Sequence, residues 1–240
     1  MKTILITNDD GIDAKGLERL AAASAEFGRV WVVAPDGQRS AASHCISLHR
    51  SVDVIPYAFP LKEIQAFSCS GTPADCVRIG ILHLLPSRPD LLLSGINFGY
   101  NIGPDIQYSG TVGAAFEAER YGVPAIAVSE GNGEDHRLTD QMLPKILRML
   151  IDRELSPGQI FNVNFPQCSP EDCRGILENR TVSRDPMYRE SYKEEQKLLH
   201  GGVRLHVNEI YQEESKEGTD FRALTEHFIS VSVLQNICHS

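Results

Sequence analysis

Residues Ile4 to Gly11 read ILITNDDG, an apolar run that ends abruptly in an amide, two adjacent carboxylates and a glycine. Such a run is a buried parallel strand breaking into a loop at its carboxyl end. In an open α/β sheet that edge is where ligands bind. Two neighbouring carboxylates repel one another, so Asp9 and Asp10 either stand in solvent or share a cation.

The rest of the chain decides what kind of sheet holds this strand. Lys15 to Gly28 places Leu17, Leu20, Ala21 and Phe27 at helical spacing and stops at a glycine, and RVWVVAP, Arg29 to Pro35, is a second apolar run. Strand, helix and strand make a βαβ unit. The small polar segment Asp36 to Ser47 leaves its strand as the acid pair leaves the first, which brings Asp10 and Ser40 within reach of each other. Leu48 to Ser70 is less regular, with VDVIPYAF and EIQAFSCS as short strands. Gly71 to Leu85 predicts a helix capped by Thr72, with Pro73 in its first turn and Asp75 at the positive end of its dipole.

PDLLLSGIN, Pro89 to Asn97, is a third strong strand, again ending in an amide. From Thr111 to Tyr121 the spacing is helical, so Ser109, Gly110 and Thr111 sit at a helix amino terminus. Free N–H groups there favour an anion, although Ser and Thr also cap helices with nothing bound. PAIAVS, Pro124 to Ser129, is a fourth strand, and Thr139 to Glu154 a helix with Pro144 in its first turn or two. QIFNVNFP, Gln159 to Pro166, is the fifth strand, and the alternation predicts an α/β fold with a mostly parallel sheet covered on both faces.

After Pro166 the character changes. Cys168 to Arg180 lacks apolar pattern, and the acidic stretch from Glu171 to Glu195 reads as solvated surface. RLHVNEIYQ alternates as an exposed strand does, and FISVSVL, Phe228 to Leu234, is another strand. Residues 1–166 are therefore expected as the core and 167–240 as a strand-rich extension whose edges invite exchange between subunits.

A formal charge of −9 argues against a nucleic-acid polymer or an anionic membrane as main partner, since both reward clustered Lys and Arg. Small phosphates stay available, because a metal and backbone dipoles offset a negative field. No apolar stretch approaches the roughly 20 residues that cross a bilayer, and acids follow MKTILITN where a signal peptide would stay apolar. The expected location is the cytoplasm, where Cys45, Cys69, Cys76, Cys168, Cys173 and Cys238 are expected as reduced thiols. The spacing of Cys168 and Cys173 leaves a zinc site open as well.

Asp9 and Asp10, Ser40 and Asn97 leave three separate strand ends, and all are oxygen donors. Oxygen ligands without His or Cys select Mg²⁺, Mn²⁺ or Ca²⁺ over zinc or copper. A hard cation beside an anion-receptive helix start is the equipment for phosphoryl transfer to water.

TNDDG, VVAPDxxRS, SGTPADCV, LSGINxGxNIG and YSGTVGAAxEA, in this order, together resemble the SurE family of stationary-phase survival proteins, which act as 5′-nucleotidases. The match runs from Ile4 to NVNFP at about Pro166 and resumes more weakly at EGTDFRAL, Glu217 to Leu224. The resemblance implies a Rossmann-like core and a carboxyl-terminal arm that builds a homodimer or homotetramer. It implies one divalent metal per subunit, Mn²⁺ or Mg²⁺, on Asp9, Asp10, Ser40 and Asn97, with Asn101, Ser109, Gly110 and Thr111 on the phosphate side. It implies hydrolysis of nucleoside monophosphates, often with 3′-nucleotides or short polyphosphate accepted too.

One loop departs from the family's usual SGxSN: here it reads Ser40, Ala41, Ala42, Ser43, His44. A methyl at Ala41 restricts the backbone if φ there is positive. His44 is either a surface residue or a proton donor or phosphate contact. Within the site, Asp9 and Asp10 are the catalytic candidates, one of them serving as general base to a metal-activated water. Two other readings stay open: a covalent aspartyl phosphatase, which usually wants DxD rather than adjacent acids, and a nucleotide sensor without turnover. A NAD-dependent dehydrogenase is disfavoured because no GxGxxG follows the first strand.

Overall fold

The computed structural model describes residues 1–212 and 214–237, and Cys238 lies outside them. The first apolar run forms β1 (Lys2–Thr7), followed by helix α1 (Lys15–Ser24) and β2 (Gly28–Pro35). Next come β3 (Val54–Tyr57), β4 (Gln65–Cys69), α2 (Pro73–Ile79) and β5 (Leu91–Phe98). They are followed by α3 (Gly110–Arg120), β6 (Ala125–Glu130), α4 (Arg137–Leu150) and β7 (Gln159–Phe165). The rest is β8 (Gly175–Glu178), β9 (Tyr188–Lys197), β10 (Val203–Tyr211), α5 (Asp220–Thr225) and β11 (Phe228–Gln235).

Nine strands make one sheet in the order β3-β4-β2-β1-β5-β6-β7-β11-β8. From β4 to β7 all neighbours are parallel, and the order reverses at β1, whose two flanks are β2 and β5. That reversal opens a crevice at the carboxyl ends of β1 and β5, the place where doubly wound sheets take ligands. Period-two alternation explains why both faces are covered. Ile4 and Ile6 pack with Leu17 and Leu20 of α1 and Ile146 of α4, while Leu5 faces Val77 of α2 and Val112 and Ala115 of α3.

The structure departs from the sequence reading in three places. The irregular stretch after Leu48 is the sheet's own edge, with β4 parallel to β2 and β3 antiparallel to β4. Helix α4 starts at Arg137, whose N–H donates to the Asp135 carboxylate at 3.1 Å; this earlier start puts Pro144 beyond the second turn, inside the helix. The sheet also does not end at Pro166: β11 pairs antiparallel with β7 and parallel with β8, and α5 packs beside them. Among the described residues of the extension, the antiparallel ribbon of β9 and β10 forms a separate sheet from the core. It leaves and rejoins at one point, where the Gln212 N–H donates to the Met187 carbonyl at 2.8 Å.

The five described cysteines are free thiols. Cys168 and Cys173 rest against the main apolar cluster, and among the described residues no group of three His, Cys, Asp or Glu side chains gathers to hold a metal, so the zinc alternative finds no third ligand. Among the described residues no helix is long and apolar enough to cross a membrane.

Candidate active site

The acid pair is folded by its neighbour Asn8, a fully buried side chain that accepts from the Gly11 N–H at 3.2 Å and donates to the Gly11 carbonyl at 2.9 Å. This local turn bends β1 away and leaves Asp9 and Asp10 at the crevice. Asp10 Oδ2 accepts from the Phe98 N–H at 3.1 Å, which sets it beside Asn97 at the end of β5. The Arg39 N–H donates to the Asp9 carbonyl at 2.6 Å, so the loop after β2 lies against the acid pair. Gln38 joins the two: its amide donates to Ser40 Oγ at 2.9 Å and also bonds the Asp10 carboxylate. Asp9, Asp10, Ser40 and Asn97 are thus brought to one sheet edge, where the Asn97 amide donates to the Gly99 carbonyl at 2.7 Å.

Helix α3 begins at the same place. Ser109 caps it, its hydroxyl accepting from the Val112 N–H at 3.1 Å. Thr111 Oγ1 donates to Asp9 Oδ1 at 2.6 Å, and the Thr111 N–H bonds the same carboxylate. A Cβ at Gly110 would lie 3.0 Å from both Asp9 Cβ and Oδ2, so only a glycine lets the helix come this near. The Gly110 N–H, at the first helical position, has no acceptor within the helix.

Burial raises the Asp9 carboxyl to about 6; the Thr111 bonds pull it down and the Asp10 charge pushes it up. Asp10 is also raised by burial, against the Phe98 N–H and the Gln38 amide. Among the described residues no Lys or Arg pairs with either. A buried and a half-buried carboxylate without a cationic side chain, next to a neutral hydroxyl and a neutral amide oxygen, are a donor set that suits a hard divalent cation.

Two further sequence candidates make no contact with the acid pair. Asn101 is buried, with its N–H, carbonyl and side chain bound by Asn164, Asn162 and Ser129. His44 does not reach the acid pair: its Nε2 lies 2.6 Å from Glu117 Oε2 on the flank of α3, and Arg120 is 3.2 Å from the other Glu117 oxygen. Its loop passes close to α3, where a Cβ at Gly113 would meet the Ser43 carbonyl oxygen at 2.5 Å. Ala41 takes φ +55° and Ser43 φ +50°, a left-handed turn on side chains that disfavour it.

Several residues of the site escaped sequence reading. Ser129, Asn162 and Asn164 lay inside or beside apolar runs, Gln38 in a polar loop, and none carried a spacing signal. Asp220 belongs with them: it accepts from the Gly103 N–H at 3.0 Å and the Ser183 N–H at 2.8 Å, tying the loop after β5 to α5.

The family model described as Survival protein SurE matches residues 4–187. A 5′-nucleotidase SurE from Synechococcus sp. (strain JA-3-3Ab) is 38% identical over 238 residues, covering 97% of this chain and 91% of that one. A 5′-nucleotidase SurE from Pelobacter propionicus is 39% identical, covering 96% and 92%. The crystal structure of the SurE protein from Aquifex aeolicus superposes with a TM-score of 0.82 at 31% identity, covering 97% of this chain and 93% of that one.

Proposed function

This chain belongs to the SurE family and is a nucleotide phosphatase of the 5′-nucleotidase kind; we propose that it works with one Mn²⁺ or Mg²⁺ held by Asp9, Asp10, Ser40 and Asn97. The observation that carries this reading is the meeting of three strand ends and the start of α3 around one acid pair, Asp9 buried and Asp10 half-buried. Asp9 and Asp10 supply the charged oxygens, and Ser40 and Asn97 the neutral ones. When bound, the ion polarises the phosphate and acidifies a water.

The remaining work falls to the chain itself. The acid pair takes the proton of the attacking water. Thr111 fixes the Asp9 carboxylate, and the dipole of α3 with the free Gly110 N–H favours the phosphate charge. Asn101 completes the phosphate side. Asn8 and Gln38 hold the loops at their spacing, so that substrate meets a preformed site.

The ribbon of β9 and β10 fits assembly. A two-stranded ribbon alone is marginal in water, and here Tyr188, Tyr192, Leu205, Val207 and Tyr211 are all exposed. We assign it to contacts between copies of this chain in a cytoplasmic dimer or tetramer.

Phosphate release from AMP, GMP, CMP, 3′-AMP and tripolyphosphate, measured in Mn²⁺ and in EDTA, tests the reading. Turnover should vanish in EDTA and in Asp9→Asn and Asp10→Asn, with circular dichroism unchanged. Substantial residual hydrolysis by either variant would remove the acid pair from the mechanism, and a burst of enzyme-bound phosphate would favour covalent chemistry on an Asp instead.

A further inference from the structure

Asn162 and Asn164 share a face of β7 with Ile160, which lies in the apolar core. Both side chains are fully buried. Burying an amide in a sheet interior is unfavourable unless its bonds are made, each unmade one costing about 1–3 kcal/mol. Here some are not made: among the described residues Asn162 Oδ1 has no partner, nor do Ser230 Oγ and Ser232 Oγ, which sit opposite on β11. Local stability alone would favour valine or isoleucine at these positions.

What the amides do hold is one residue. The Asn101 N–H donates to Asn164 Oδ1 at 2.8 Å, while the Asn101 carbonyl accepts from Asn164 Nδ2 at 3.1 Å and Asn162 Nδ2 at 2.8 Å. Asn101 Nδ2 donates to Ser129 Oγ at 2.8 Å, and Ser129 lies between Asn97 and Asn164 in the strand register. Backbone and side chain of Asn101 are therefore fixed from β6 and β7. An amide NH₂ carries two hydrogens, so the one not given to Ser129 remains for an anion.

We propose that Asn164, assisted by Asn162 and Ser129, is a positioning residue for the phosphate subsite, setting the Asn101 loop from the interior of the sheet. The proposal rests on the reading above that Asn101 faces the phosphate. It explains why polar side chains persist in a strand core: their geometry is kept at the expense of unmet bonds.

The test is steady-state hydrolysis of AMP in Mn²⁺, with inhibition by inorganic phosphate, for Asn164→Ala, Asn101→Ala and the double variant. Losing the contact should raise KM and the phosphate Ki about tenfold, as expected for one hydrogen bond to a charged ligand. The Mn²⁺ activation constant should not move, because none of the four metal-side residues is held by Asn164. The double variant should be no worse than Asn101→Ala, since the two act in series. Asn164→Asp, which keeps the acceptor for the Asn101 N–H but sets a carboxylate oxygen against the Asn101 carbonyl, should recover none of the loss. If Asn164→Ala does not fold, Asn162→Ala should shift KM and Ki the same way by less.

Additive effects overturn the proposal, as does a lowered melting temperature with KM and Ki unchanged in both β7 variants while Asn101→Ala raises them. If Asn101→Ala itself leaves KM and Ki unchanged, the underlying reading of Asn101 fails instead, and the positioning role goes with it.

Discussion

Thr111 Oγ1 and Asp9 Oδ1 lie 2.6 Å apart although 102 residues of chain separate them. This contact is what turns a helix cap and a strand end into one site. Thr111→Val keeps the shape and removes the donor, so Asp9 loses the bond that opposes its desolvation. The expected result is a fall in kcat/KM of about 10- to 100-fold, the effect of one bond to a charged group, with Thr111→Ser largely restoring it. Nucleotide kinetics on the three proteins decide.

Metal-free protein should show a pH signature of the buried acid. Asp9 titrates near 6 in the fold and 3.8 is its ordinary value, so between these the native state binds more protons than the unfolded one. Stability then falls as pH rises from about 4 to 6 and levels off above, a change on the order of 3 kcal/mol at most. Asp10, also raised by burial, adds in the same direction. Denaturation midpoints in EDTA should trace this curve, Asp9→Asn should flatten most of it, and saturating Mn²⁺ should remove it.

Ala41 holds φ +55° in the loop that carries Ser40. Glycine adopts that conformation without the Cβ penalty, so Ala41→Gly should stabilise the folded loop by about 1 kcal/mol. A higher melting temperature, with metal dependence retained, is the expected outcome. Destabilisation would mean that the added freedom of the unfolded chain outweighs the relieved strain.

Removing Tyr188–Tyr211 and joining Met187 to Gln212 through two glycines should leave a folded core, because the two ends already meet across a backbone bond. The same variant should sediment as a monomer if the ribbon builds the assembly. Sedimentation velocity with circular dichroism separates a lost interface from a lost fold.

The parallel core was legible because its strands are buried on both faces and read as unbroken aliphatic runs, LLLSGIN and RVWVVAP among them. The strands that escaped are those that packing does not mark. β8, GILE, is only half-buried, and β9, YRESYKEEQK, is exposed along its whole length, so composition there resembles a loop. In the site, the four oxygen donors stood out at strand ends, where polar residues follow apolar ones. Asn162 and Asn164 did not, since an amide between Phe161, Val163 and Phe165 reads as an interruption of the strand until its partner on another loop is known. The sequence left His44 open between surface and site for a related reason: its partner Glu117 lies 73 residues on, on the flank of α3.

Met187, at the neck of the ribbon, is buried in a small apolar cluster with Ile102, Phe221 and Leu224, and Tyr100 packs against it. Ile102 is the residue after Asn101. Footing and Asn101 loop therefore share one set of contacts, and if copies associate through the ribbon thermodynamic reciprocity follows: free energy that association directs into this cluster biases the loop, and occupancy of the loop returns the same bias to association.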